Sequence, residues 1–220
     1  MLRKILVGVA LFGAAAAPAT AQRQFHVGPR LGYTQYASET GIESGPMFGM
    51  DAMLSLSNNL SLGFRFDFAR PVTDGTFFPA EMTFGDTTML FAVSQPLTIV
   101  NYAVTAEFST GGSFAPFVNG GVGQYRISQD PQVARGLAVL DDIALMVGGG
   151  LEIQTSAGTS VRLSVQDIIY NNFNRANLNP VDARFAPIRF PDAIPPQAPF
   201  HGVAHNIHVA LAFSFTPGGQ

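Results

Sequence analysis

The chain has 220 residues, of which 47% are hydrophobic and only 12% are charged, about half the charged share of an ordinary soluble domain. It contains 23 glycines and 19 phenylalanines but a single lysine, a composition that argues against a protein of long helices. A net charge of -3 without any basic stripe excludes a nucleic-acid-binding protein. The absence of cysteine excludes a disulfide scaffold, an iron–sulfur site and a thiol nucleophile.

The first 21 residues have the pattern of a secretory signal peptide. Arg3 and Lys4 form a short positive start, residues 5–17 are an apolar run too short to span a bilayer as a helix, and residues 19–21 form a small-x-small cleavage site. We therefore predict a signal peptide at residues 1–21 and one exported domain at residues 22–220. No later stretch reaches the roughly 18 consecutive apolar residues that a transmembrane helix needs.

Alternation of large apolar residues with small or polar ones predicts eight β-strands. The clearest examples are residues 60–68 and the last strand, residues 206–215. Six further segments show the same period: residues 25–36, 48–56, 102–108, 116–126, 143–154 and 161–166. The faces opposite the apolar ones carry glycine, alanine, serine and scattered charges, which suits the inside of a narrow closed barrel better than the solvated face of a soluble sandwich.

The connections between these strands alternate strictly between short and long. Residues 57–59, 109–112 and 156–158 are tight turns of serine, asparagine, threonine, alanine and glycine. The connections between them are longer: residues 37–45, 71–96, 128–142 and 172–203. This asymmetry is typical of transmembrane barrels with short periplasmic turns, long outer loops and both termini on the periplasmic side.

Three segments carry a resemblance to a known family: residues 115–123 (APFVNGGVG), residues 148–152 (GGGLE) and residues 162–165 (RLSV). They resemble strands of the small eight-stranded outer-membrane β-barrels, the group that contains the OmpA transmembrane domain and OmpX. The resemblance implies an antiparallel up-and-down barrel in the outer membrane of a diderm bacterium, with no cofactor. It also implies an aromatic assembly signal in the last strand, which Phe213 and Phe215 match, although a tail of five residues follows.

If the apolar faces point outward, a set of polar side chains must share the lumen: Arg30, Asp51, Arg65, Asp67, Glu107, Glu152, Arg162 and His208. Three arginines then meet four carboxylates, and buried ions must be paired because an isolated one is costly. We expect a salt-bridged polar plug that fixes the shape of the barrel. A gated ion path through the same pairs is the alternative.

Catalytic and metal sites are not expected. His205 and His208 are three residues apart, so on a strand they point to opposite faces and cannot chelate one ion. Ser164, Asp167 and His208 could form a triad on adjacent strands, but their heights in the barrel do not follow from the sequence. We expect no enzyme activity, with a lipid-modifying enzyme as the alternative.

The longest loop, residues 172–203, contains six prolines, which disfavour regular strand. It interleaves basic and aromatic residues that could contact a partner or the anionic lipopolysaccharide layer: Arg175, Arg184, Phe185, Arg189 and Phe190. Residues 89–93 form an apolar piece in another long loop. If that piece and part of the last loop were membrane strands, the barrel would have ten strands.

These observations together predict a monomeric outer-membrane barrel with a polar filled lumen and a role in envelope integrity or surface contact. Its expected partners are outer-membrane lipids, lipopolysaccharide and, during insertion, the barrel-assembly machinery. The three alternatives are a small ion or solute pore, an outer-membrane lipid-modifying enzyme and a secreted β-barrel ligand carrier.

Overall fold

The computed structural model describes residues 24–75, 79–129, 138–156, 158–178, 188–189 and 199–216. The predicted signal peptide lies outside this part of the chain. The described strands, in chain order, are β1 (Phe25–Gln35), β2 (Gly45–Ser55), β3 (Leu60–Ala69), β4 (Pro79–Phe84), β5 (Thr87–Val93), β6 (Leu97–Ser109), β7 (Phe114–Gln129), β8 (Leu140–Ser156), β9 (Thr159–Asn174), β10 (Ile188–Arg189) and β11 (His201–Phe215). Two short 3-10 helices, Ser38–Thr40 and Arg175–Leu178, follow β1 and β9.

Eight of these strands form a closed barrel in the order β1-β11-β9-β8-β7-β6-β3-β2. Every neighbouring pair is antiparallel. The barrel closes where the first strand pairs with the last, from Val27 opposite Phe215 to Gln35 opposite Ile207. The predicted eight-stranded, antiparallel up-and-down barrel is confirmed.

The two ends of the barrel differ in the length of their connections. At one end, here called the turn end, residues 56–59, 110–113 and 157–158 join consecutive barrel strands. Thr216 lies at the same end, since its backbone N–H donates to the carbonyl of Gly158 at 2.7 Å. The other end, here called the loop end, carries the four long connections: residues 36–44, 70–96, 130–139 and 175–200.

Two of the long connections meet in a small second sheet. Strand β5 pairs with β4 in a hairpin and also with β10, which belongs to the connection between β9 and β11. The ten-strand alternative is therefore wrong, because the apolar piece at residues 89–93 pairs within this sheet and not with an edge of the barrel. A closed barrel offers no free edge to receive it.

The outward face of the barrel is apolar, and the inward face is where the polar residues lie. Five phenylalanines near the turn end point outward and are 44–62% exposed: Phe25, Phe108, Phe114, Phe213 and Phe215. At the loop end, Tyr33 is exposed, whereas Tyr36 and Tyr170 are buried inside the barrel. No helix among the described residues is long and apolar enough to cross a membrane.

Candidate functional site

The central lumen holds a group of paired charges contributed by the adjacent strands β1, β2 and β3. Arg30 Nη1 lies 3.0 Å from Asp67 Oδ1, and Arg30 Nε lies 3.4 Å from Asp51 Oδ2. Arg65 Nε donates to Asp51 Oδ1 at 2.7 Å. All four side chains are buried. Each buried ion therefore has an opposite charge beside it, which offsets much of the desolvation cost.

The register of the strands explains how Arg30 and Asp67 meet across an intervening strand. Gly49 of β2 lies directly between them, opposite Arg30 on one side and Asp67 on the other. A Cβ atom at this glycine would lie 2.3 Å from Asp67 Oδ1 and 2.5 Å from the Phe66 carbonyl oxygen. The absence of a side chain at Gly49 leaves the space that the ion pair occupies.

A second charged group lies nearer the turn end. Arg162 Nη2 lies 2.5 Å from Glu107 Oε2, and Arg162 Nε lies 3.7 Å from Glu152 Oε2. The guanidinium also stacks on Phe117, with its central carbon 4.4 Å from the ring centroid. These contacts hold one arginine between two carboxylates and an aromatic face.

Two amide side chains that sequence analysis missed join the charged groups. Arg30 Nη2 donates to Gln166 Oε1 at 3.1 Å, and Gln166 Nε2 donates to Asn119 Oδ1 at 3.1 Å. Asn119 Nδ2 in turn donates to Glu107 Oε2 at 3.4 Å. The lumen thus contains one continuous network, here called the polar network: Arg30, Asp51, Arg65, Asp67, Glu107, Asn119, Glu152, Arg162 and Gln166. Inward position on a strand was the signal that could have identified both amides.

His208 shares the lumen but makes no hydrogen bond to the polar network. It is 1% exposed and lies opposite Thr34 on β1 and Gln166 on β9. Neither ring nitrogen has a hydrogen-bond partner within the described part of the chain. His208 therefore lies in the lumen with the charged residues, as expected, but it is not hydrogen-bonded to them.

The loop half of the lumen is filled by apolar side chains, contrary to the expectation of a polar lumen throughout. Tyr125 and Tyr170 stack with ring centroids 4.2 Å apart, and Phe173 continues the stack 6.4 Å from Tyr170. Together with neighbouring buried residues they form what we call the aromatic layer: Tyr36, Ile99, Tyr125, Ile127, Ile168, Tyr170, Phe173 and Leu178.

The residues considered for catalysis or metal binding do not come together. Asp167 points outward, whereas Ser164 and His208 are buried inside, so the possible triad is not formed. Asp167 instead contacts His205 on the outward face, with Oδ2 and Nδ1 2.7 Å apart. Among the described residues, no group of three or more acidic and histidine side chains could hold a metal ion.

The structure describes two of the five loop residues proposed for surface contact, Arg175 and Arg189. Arg175 is buried, and its Nη1 donates to the Glu39 carbonyl oxygen at 2.7 Å, so it packs the barrel mouth and is not exposed for binding. Its position in a 3-10 helix directly after β9 keeps it close to the barrel. Arg189 belongs to β10. Arg184, Phe185 and Phe190 lie outside the described residues.

A barrel of this strand number, with an apolar outer face and a filled lumen, corresponds to a known family. The family model described as an outer membrane protein beta-barrel domain matches residues 5–185. The chain belongs to this family.

A solved bacterial surface protein shares this fold. Neisserial surface protein A is 11% identical, with a TM-score of 0.54, over 87% of this chain and 96% of that chain. OprG from Pseudomonas aeruginosa is 10% identical, with a TM-score of 0.49, over 88% of this chain and 95% of that chain. None of the curated proteins matches the sequence. The family match therefore places the chain among outer-membrane β-barrel proteins.

Proposed function

We propose that this protein is a closed, non-conducting barrel that contributes to envelope integrity and presents long loops at the cell surface, without catalysis. The filled lumen is the observation that carries the proposal. The polar network occupies its turn half and the aromatic layer its loop half, and their side chains are nearly all buried. Ions or solutes would have to displace paired charges and then packed aromatic rings.

The proposed orientation puts the turn end in the periplasm and the loop end outside the cell. Short connections and both ends of the described chain lie at the turn end, the arrangement typical of bacterial outer-membrane barrels. Phe213 and Phe215 point outward at the end of the last strand. We propose that they serve as the signal for the barrel-assembly machinery, and that the protein works as a monomer.

The second sheet is the element proposed for surface contact. It links the connection between β3 and β6 to the connection between β9 and β11, so two long loops are held in one backbone unit. The connection that supplies β10 also contains Arg184, Phe185, Arg189 and Phe190. Arginines can bind phosphates of lipopolysaccharide, and aromatic side chains supply area for a macromolecular partner.

Planar-bilayer recording tests the main proposal against the pore alternative. The protein, folded in detergent and shown by a heat-dependent gel shift to be a closed barrel, is added to bilayers at increasing concentration. We expect no single-channel steps at any voltage that the bilayer withstands. A known porin inserted in the same bilayers provides the positive control. Reproducible steps that disappear when the protein is heat-unfolded would overturn the proposal and favour the pore.

The surface-contact role needs a separate test. A variant lacking residues 76–93 and the corresponding wild type are displayed on cells, and binding to purified lipopolysaccharide and to host extracellular proteins is compared. We expect the deletion to lose binding while the heat-dependent gel shift is retained. Unchanged binding by the deletion variant would remove the second sheet from the proposal.

A further inference from the structure

A pair of ionisable side chains lies within the apolar outward face of the barrel. His205 of β11 and Asp167 of β9 are in contact, with Nδ1 and Oδ2 2.7 Å apart, and their side chains are 60% and 24% exposed. The neighbouring outward-facing residues on the two strands are apolar: Val165, Ile169, Val203 and Ile207. Ionisable groups that face hydrocarbon are costly, so such a pair marks a functional site.

The height of the pair places it where acyl chains meet headgroups. His205 lies ten residues along β11 from Phe215 at the turn end (215 minus 205). At about 3.3 Å per residue and a strand tilt of about 40°, this separation corresponds to a height of about 25 Å. The apolar band of outer-membrane barrels is also about 25 Å tall. With Phe215 at one boundary of that band, His205 is at the other.

The proton arrangement decides which group the pair can bind. Asp167 Oδ1 is buried and has no hydrogen-bond partner within the described part of the chain, so a lone carboxylate would be poorly stabilised. The 2.7 Å contact with Asp167 occupies His205 Nδ1, so Nε2 is the ring nitrogen left for a ligand. When both ring nitrogens carry hydrogens, Nδ1–H donates to the carboxylate and Nε2–H is available to an anionic group. The site therefore presents an N–H donor at the membrane boundary.

A second imidazole lies on the same side of β11, nearer the loop end. His201 is exposed, and its Nε2 lies 2.7 Å from Asn172 Oδ1. Asn172 Nδ2 donates to Asp142 Oδ2 at 2.9 Å, which orients the amide. The two histidines lie four residues apart and therefore on one face, so polar groups continue from the pair toward the loop end.

We propose that His205, positioned by Asp167, binds the phosphate group of an acyl lipid at this boundary. A phosphate oxygen accepts a stronger hydrogen bond from Nε2–H than a neutral carbonyl oxygen does. The apolar residues around the pair contact the acyl chains. Assignment of the lipid to the outer leaflet rests on the orientation proposed above, whereas the site itself does not.

Native mass spectrometry of the protein isolated from membranes into a neutral alkyl-glycoside detergent tests the site. Two probes with identical chains are titrated: dimyristoylphosphatidylglycerol, which carries a phosphate, and dimyristoylglycerol, which does not. We expect the wild type to bind the phosphate lipid about tenfold more tightly. His205→Phe should abolish this preference, Asp167→Asn should weaken it, and His205→Gln, which restores an N–H donor, should recover part of it.

A matched control is Leu211→Phe, which changes an outward residue on the same face of β11 but near the turn end and should keep the preference. A heat-dependent gel shift verifies that every variant is folded. Equal binding of the two lipids by the wild type, or an unchanged preference in His205→Phe, would overturn the proposal. Release of fatty acid from the probe would show that the pair hydrolyses lipid and would also overturn it. Channel activity would contradict the proposed function but leave these binding outcomes unaffected.

Discussion

At the scale of the residue, Arg162 shows how strongly the lumen charges depend on one another. It lies between Glu107 and Glu152 and is buried. We predict that Arg162→Met lowers the free energy of unfolding by about 3–5 kcal/mol, because it leaves the buried Glu107 carboxylate without its counter-charge. Urea unfolding in lipid vesicles, followed by tyrosine fluorescence, measures the change.

The matched variant removes both charges. Arg162→Met combined with Glu107→Gln leaves no unpaired buried ion at this position, so we expect it to recover more than half of the lost stability. Glu152 is more exposed and can be solvated. Equal losses in the single and double variants would mean that the pair contributes nothing beyond packing.

Two glycines of the barrel, Gly49 and Gly120, differ in the space around them. A Cβ at Gly49 would lie 2.3 Å from Asp67 Oδ1 and 2.5 Å from the Phe66 carbonyl oxygen, whereas one at Gly120 would have its nearest contact at 3.6 Å. Gly49→Ala should therefore destabilise the barrel by about 1–3 kcal/mol, as overpacking does. Gly120→Ala should be close to neutral. The fraction of refolded protein that shows the heat-dependent gel shift compares them, and equal yields would contradict the argument.

The charged members of the polar network could be predicted from the sequence because charged residues stand out on strand faces whose other residues are small. Arg65 and Asp67, for example, sit on alternate positions of the most regular strand. Gln166 and Asn119 were not predicted, because their inward positions do not show which partners they contact, and those partners depend on the closure of the barrel. Their role follows only from the three-dimensional register.

At the scale of the element, the strands run further toward the loop end than alternation predicts. Strand β6 begins at Leu97 and β9 continues to Asn174, whereas the pattern suggested residues 102 and 166 as the limits. In these extensions the inward residues are large and apolar, among them Ile99 and Tyr170. The two faces of the strand are then both apolar, so the period-2 signal disappears where the aromatic layer begins.

The second sheet allows a prediction about how the long loops are joined. Ala92 of β5 lies opposite Arg189 of β10 in register, while Ile188 lies opposite Val93. Because the chain has no cysteine, Ala92→Cys with Arg189→Cys introduces a single possible disulfide, and directly opposed Cβ atoms are close enough to form it. We expect rapid cross-linking under mild oxidation, detected by mass spectrometry of proteolytic fragments.

The control for this cross-link moves one cysteine by a single residue. Ala92→Cys with Ile188→Cys places the two thiols on opposite faces of the sheet, so it should cross-link at least several-fold more slowly. Similar rates for the two pairs would indicate that β5 and β10 do not keep this register in the membrane.

At the scale of the whole molecule, the fold was predictable because closure follows from simple constraints. Eight alternating segments with apolar faces must pair completely in a membrane, and short connections force consecutive strands to be antiparallel neighbours. The filling of the lumen was predictable only in part. The charges of the polar network have a sequence signal, but the aromatic layer consists of aromatic and aliphatic residues whose face could not be assigned near the strand ends.

The polar network and the aromatic layer fill successive parts of the lumen and therefore act as barriers in series. Tyr125→Ala with Tyr170→Ala removes the stacked rings of the aromatic layer, and Arg30→Ser with Asp67→Ser removes a central ion pair of the polar network without leaving either charge alone. We expect neither double variant to conduct in planar bilayers, because an ion must pass both layers.

The quadruple variant opens both layers and should therefore show single-channel steps absent from the wild type and from either double variant. A heat-dependent gel shift for each variant separates a closed barrel from a misfolded one. Conductance in the Tyr125→Ala, Tyr170→Ala variant alone would mean that the polar network is permeable and that the aromatic layer is the sole barrier. Such a result would favour the interpretation of the polar network as an ion path over its interpretation as a structural plug.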